Sequence, residues 1–158
     1  MEKPQFVYVT YIRTTPQKVW DALTRPEFTR QYWGDKSNFS DWQRGSKWKH
    51  MGADEDVWMC GEVLESEPPK RLVLTWADPD DLADGSQVCF EIEPIEDMVR
   101  LRVTHGNFRE GSARLGNITY GWPLVLSSMK SYLETGAGIN IWAKAPTDAA
   151  PCARTAAA

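Results

Sequence analysis

Cysteine is scarce in this chain, and the three present (Cys60, Cys89 and Cys152) form no CxxC pair and no even set. A disulfide framework is therefore excluded, and the residues read as free thiols of a reducing compartment. Histidine is scarcer still. His50 and His105 are the whole supply, and neither has a second histidine or cysteine at ligand spacing, so no metal site and no cofactor is expected. No run of apolar residues approaches the ~18 needed to span a bilayer, and the opening MEKPQFVYVTYIR has neither the apolar core nor the cleavage site of an export signal. Basic residues are not in excess: 18 Lys and Arg against 22 Asp and Glu give a net charge of −4. That balance argues against a nucleic-acid partner and against an anionic membrane surface. The expectation is a cytoplasmic protein. No GxSxG and no Cys-His-Asn pattern occurs, so nucleophilic catalysis has no signature here.

Aromatic residues, in contrast, are abundant. Eight Trp, five Tyr and five Phe stand among 158 residues that are 42% hydrophobic, enough for one self-sufficient core. Such side chains are costly to leave in water, and each buried indole N–H needs a partner. They either fill the core or line a cavity.

Residues 6–13 alternate in a β-branched and aromatic background and predict a strand. Thr15-Pro16 then supplies an N-cap followed by proline at the first helical position, with Val19, Trp20 and Leu23 as the apolar face. Arg25-Pro26 ends that helix, and a second short helix runs from Pro26 to about Trp33, stopping at Gly34. From 36 to 105 the pattern is hairpins. Strands are expected around a turn at Gln43-Arg44-Gly45, over 57–66, 71–77, 87–95 and 98–105, with an acidic loop from Asp78 to Gly85. A long helix follows over about 112–136, striped by Trp122, Leu126, Met129 and Leu133 and carrying Pro123 inside it. Residues 143–158, with eight alanines and two prolines, predict a disordered tail after a single domain over 1–142. The fold class is α+β: a curved antiparallel sheet of six or seven strands, two short helices, and one long C-terminal helix gripped by the sheet.

The run Thr15-Pro16-Gln17-Lys18-Val19-Trp20-Asp21-Ala22-Leu23-Thr24 resembles the opening of the activator of heat-shock protein 90 ATPase-like branch of the START/Bet v 1-like (SRPBCC) superfamily. Further matches follow in order: Tyr32-Trp33, Gly61-Glu62-Val63-Leu64-Glu65 with Pro68-Pro69, Leu72 to Trp76, Thr104-His105 and Gly121-Trp122. Together they cover about residues 6–137. The resemblance implies a helix-grip fold with a hydrophobic cavity between sheet and C-terminal helix. Eukaryotic chaperone activators of this kind carry a separate N-terminal domain, whereas this chain begins at the first strand of the grip. Chaperone stimulation is therefore not the leading expectation.

The leading expectation is a small-molecule binder taking an apolar, aromatic or lipid-like ligand. Its cavity is expected to be lined by Trp33, Trp58, Trp76, Phe90, His105, Tyr120, Trp122, Leu126 and Met129. The alternative is a cavity enzyme of the cyclase, dehydratase or hydrolase type, with His105 and Glu62 as the tentative proton-transfer groups. A third reading is a protein-interaction module, as a monomer or weak dimer. Against catalysis stands the ordinary fate of a histidine at a strand end, which is to pin the next loop.

Overall fold

The computed structural model describes residues 3–142. Alternation in the sequence becomes a seven-stranded antiparallel sheet in the order β1-β7-β6-β5-β4-β3-β2. The strands are β1 (Phe6–Ile12), β2 (Ser37–Ser40), β3 (Lys47–Met51), β4 (Val57–Glu67), β5 (Arg71–Asp78), β6 (Asp81–Ile95) and β7 (Met98–Gly106). Helices α1 (Pro16–Thr24) and α2 (Pro26–Thr29) connect the two edge strands, and α3 (Arg114–Thr135) closes the grip. The helix-grip expectation holds, with seven strands.

The period-2 pattern sorts the two faces. Val88, Phe90 and Ile92 of β6 and Val99, Leu101, Val103 and His105 of β7 are all buried. The intervening residues form a charged ladder, Glu91 opposite Arg102 and Glu93 opposite Arg100, ion-paired and half-exposed. Those glutamates are surface charges of the solvated face, each pair contributing little to stability.

Thr15 caps α1, its Oγ1 accepting from the Lys18 N–H at 3.3 Å. Pro26 restarts the chain as α2, which ends at Thr29, earlier than expected; turns carry it to Gly34, whose φ is +58°. The acidic stretch expected to be a loop is instead a tight turn at Pro79-Asp80 leading straight into β6. Its acidity misleads because Asp84 turns inward. There its carboxylate accepts from Ser112 Oγ at 3.0 Å and pairs with Arg114 at 3.5 Å and Arg109 at 3.8 Å, fastening the start of α3 to the sheet. Pro123 lies inside a continuous α3, which Gly136 ends in the left-handed conformation. The tail expected over 143–158 lies outside the described residues.

Candidate functional site

Where α3 crosses the sheet, indoles from four elements converge. Trp33 (after α2), Trp76 (β5) and Trp122 (α3) are mutually within 5.4–6.3 Å between ring centroids, and Trp48 (β3) adds itself 5.0 Å from Trp76. Trp48 and Trp122 satisfy their N–H groups on Thr75 O at 2.8 Å and His105 Nδ1 at 3.0 Å. Trp33 and Trp76 have no such partner among the described residues.

Beside this cluster two adjoining hollows open. One, of about 430 Å³, is lined by Trp33, Lys36, His50, Trp58, Met59, Trp76 and Trp142. The other, of about 370 Å³, shares Trp33, Trp58, Met59, Trp76 and Trp142 and runs along Arg114, Asn117, Ile118, Gly121, Trp122 and Val125 of α3. Trp142 reaches both because the chain turns back after α3. Ser128 Oγ holds Ile139 through both its N–H and its carbonyl. The Trp142 ring then lies on Gly34 so closely that a Cβ there would come within 1.9 Å of Cδ1.

The expected lining residues separate into groups. Trp33, Trp58, Trp76 and Trp122 meet at these hollows. Phe90, Leu126 and Met129 are sealed in the core and border neither hollow. Tyr120 is corrected outright: it is 73% exposed and points to solvent. Glu62 borders a different hollow with Lys47, Lys49 and Asn107, half-exposed and paired with Lys47 at 3.3 Å.

His105 is fully buried, with both ring nitrogens engaged. Nδ1 accepts from Trp122, so it carries no proton; Nε2 then donates to Ser86 Oγ at 2.7 Å, and the Ser86 hydroxyl donates in turn to Trp76 O at 3.3 Å. Burial pushes its pKa down to about 4. A neutral ring pinned at both ends has no nitrogen left for a substrate, which corrects the proton-transfer expectation. The free thiols Cys60 and Cys89 are half-buried in strands, and burial raises both pKa values. Among the described residues, no three His, Cys, Asp or Glu side chains are grouped to hold a metal, and no helix is long and apolar enough to cross a membrane.

His50, outside the expected lining, is the imidazole that borders the hollow. It is 3% exposed, with its ring 4.5 Å from that of Trp33. In register it sits between Asn38 of β2 and Met59 of β4. The alternation Lys47-Trp48-Lys49-His50 carries that signal, since a residue two on from a buried Trp shares its face. Lys36, Met59 and Trp142 were also missed, and nothing local in the sequence marks them.

The sequence model of the family described as Activator of Hsp90 ATPase homolog 1-like protein matches residues 13–134. Among curated proteins, none matches the chain. Among solved structures, the protein MLL2253 from Mesorhizobium loti is similar at 29% identity and TM-score 0.69, over 82% of this chain and 96% of that one. The Aha1 dimer from Colwellia psychrerythraea is similar at 24% identity and TM-score 0.68, over 85% and 99%. PFC0360w, an HSP90 activator from Plasmodium falciparum, is similar at 22% identity and TM-score 0.69, over 82% and 95%. The chain belongs to the Activator of Hsp90 ATPase homolog 1-like family.

Proposed function

We propose that this member of the family binds a small, mostly apolar aromatic molecule in the paired hollows between β4, β5 and α3. The observation that carries the reading is the lining: Trp33, Trp58, Met59, Trp76 and Trp142 surround space large enough for a two- or three-ring guest. Trp58 is the informative member, because it is 55% exposed and yet borders both hollows. A large apolar ring held in water is an unmet hydrophobic surface that a guest would cover, at ~25 cal/mol per Å².

The test is a titration with 2-methoxynaphthalene followed by quenching of tryptophan fluorescence. Truncating Trp76 or Trp122 would confound it, since removing a buried Trp costs ~3–5 kcal/mol of stability. Trp58→Ala avoids this. Saturable binding weakened at least about tenfold by Trp58→Ala is expected. Affinity indifferent to Trp58 refutes the reading, as does the absence of saturable binding by both 2-methoxynaphthalene and its hydroxyl counterpart 2-naphthol. Native mass spectrometry of freshly purified protein complements it, since a retained guest appears as extra mass lost on denaturation.

A second reading, a protein-contact role, rests on a different surface. Val7, Val9 and Tyr11 project from the outer face of edge strand β1, 41%, 44% and 44% exposed. A row of large apolar residues on an edge is a natural association surface. Its first candidate occupant is a second copy, and the dimer known for the Colwellia relative agrees with it. Sedimentation of the wild type against Val9→Lys tests it: concentration-dependent association should disappear in the variant.

A further inference from the structure

The hollow has one side chain that offers it an unshared lone pair from a buried position, and the route to it begins with a carbonyl. Leu23 O lies 2.9 Å from Asn38 Nδ2, and a carbonyl only accepts, so the amide nitrogen faces it. Asn38 therefore presents its oxygen to His50 Nδ1 at 2.8 Å. That oxygen only accepts, so Nδ1 carries the proton and Nε2 carries the lone pair. Nε2 has no partner among the described residues, and it is not among their sealed, unpartnered atoms. It is reachable from the hollow that His50 borders.

Lys36 borders the same hollow, its Nζ 4.7 Å from the centre of the Trp58 ring, and makes no ion pair among the described residues. A guest at this wall meets a hydrogen-bond acceptor and a cation together, with indoles on the remaining sides.

We propose that the ligand class is an aromatic molecule bearing an acidic hydroxyl, a phenol or enol, whose O–H is accepted by His50 Nε2 and whose oxygen lies toward Lys36. This rests on the small-molecule reading above and deepens it. One hydroxyl satisfies both groups, because it donates one hydrogen and offers lone pairs. A carboxylate suits Lys36 but sets its lone pairs against that of Nε2, and an ether oxygen leaves Nε2 unmatched. Burial and the nearby Lys36 charge hold the His50 pKa down at about 3, so the ring stays a neutral acceptor throughout the physiological range. Asn38 is the positioning residue: it fixes the tautomer without touching the guest.

The inference is tested with 2-naphthol, 2-methoxynaphthalene and 2-naphthoate, matched in their ring system and different at one group. Wild-type protein should bind 2-naphthol about tenfold more tightly than either other probe, the range expected when a buried acceptor is met rather than left bare. His50→Leu should bind naphthol and its ether equally. Equal binding of naphthol and ether by the wild type overturns the hydroxyl assignment while leaving the cavity reading intact; so does tighter binding of naphthoate. Binding of none of the three overturns both.

A measurement without any variant keeps the inference open to refutation should His50→Leu not fold. The two histidines of this chain are assigned opposite neutral tautomers, Nδ1–H for His50 and Nε2–H for His105. Ring ¹⁵N spectra of the wild type distinguish them. The unprotonated nitrogen of His50 should shift on adding 2-naphthol and stay put with 2-methoxynaphthalene. An Nε2–H tautomer at His50, or no selective shift, overturns the proposal.

Discussion

Acid should loosen this fold through its two buried imidazoles, and His105→Phe isolates the share of one. In the unfolded chain His105 titrates near its ordinary 6.5; in the fold burial lowers that to about 4. Between those values the unfolded state binds a proton that the native state refuses, so stability falls as pH drops through the window. At ~1.36 kcal/mol per pH unit, ~3 kcal/mol is at stake, of which ~2.5 kcal/mol is lost by pH 4.5. His50, lowered to about 3, adds a similar amount over the same range. Together, ~5 kcal/mol should lower Tm by roughly 10–20 °C between pH 7.5 and 4.5 in a domain of this size. His105→Phe removes the titrating group at the cost of orphaning the Trp122 N–H, ~1–3 kcal/mol, while the Ser86 hydroxyl keeps its bond to Trp76 O. Urea titrations should therefore find the variant less stable at pH 7.5, with the gap shrinking by ~2.5 kcal/mol at pH 4.5. Because carboxylates titrate in both proteins, the difference between them isolates the imidazole. Parallel pH curves would refute the reasoning, as would an NMR titration placing His105 near 6.5 in the folded wild type.

Gly61→Ala should destabilise by ~1–3 kcal/mol or more in chemical denaturation, because its Cβ would meet the backbone oxygen of Thr75 at 2.0 Å, where the strand cannot yield. Wild-type stability would show that β4 and β5 are not pressed together there. Glu62→Gln should change Tm negligibly and leave 2-methoxynaphthalene affinity untouched, since its carboxylate pairs only with an exposed Lys47 and lies away from the paired hollows. A large loss of binding would return Glu62 to the site. Trp142→Ala and Gly34→Ala should both speed probe association and dissociation in stopped flow, the first by removing a ring that lines both hollows and the second by displacing it. Gly34→Ala should in addition lose ~1–2 kcal/mol of stability for a side chain at φ +58°. Unchanged exchange rates would mean that Trp142 does not control access to the hollows.

Much of the fold was legible because its signals are local. Thr15-Pro16 caps a helix whatever lies around it, and β6 and β7 declare their buried faces by alternation alone. Tyr120 was misplaced although the sequence held the contrary evidence: two residues before Trp122, it lies about 200° around the helix from it. Its 73% exposure follows from that angle. The histidines are a different matter. Alternation correctly put His105 on a buried face, but its role depends on Trp122 from α3 and Ser86 from β6, partners separated from it by 17 and 19 residues. An imidazole with both nitrogens taken and one with a nitrogen to spare are chemically opposite, yet each is a single His two residues after a buried apolar side chain, Trp48 or Val103. What distinguishes them is the direction of two hydrogen bonds, set by Asn38 for His50 and by Trp122 for His105. Strand register brings Asn38 opposite His50, and only the crossing of α3 over the sheet brings Trp122 to His105. The site is thus written in which element meets which, a property of the assembled sheet and helix that no window of sequence contains.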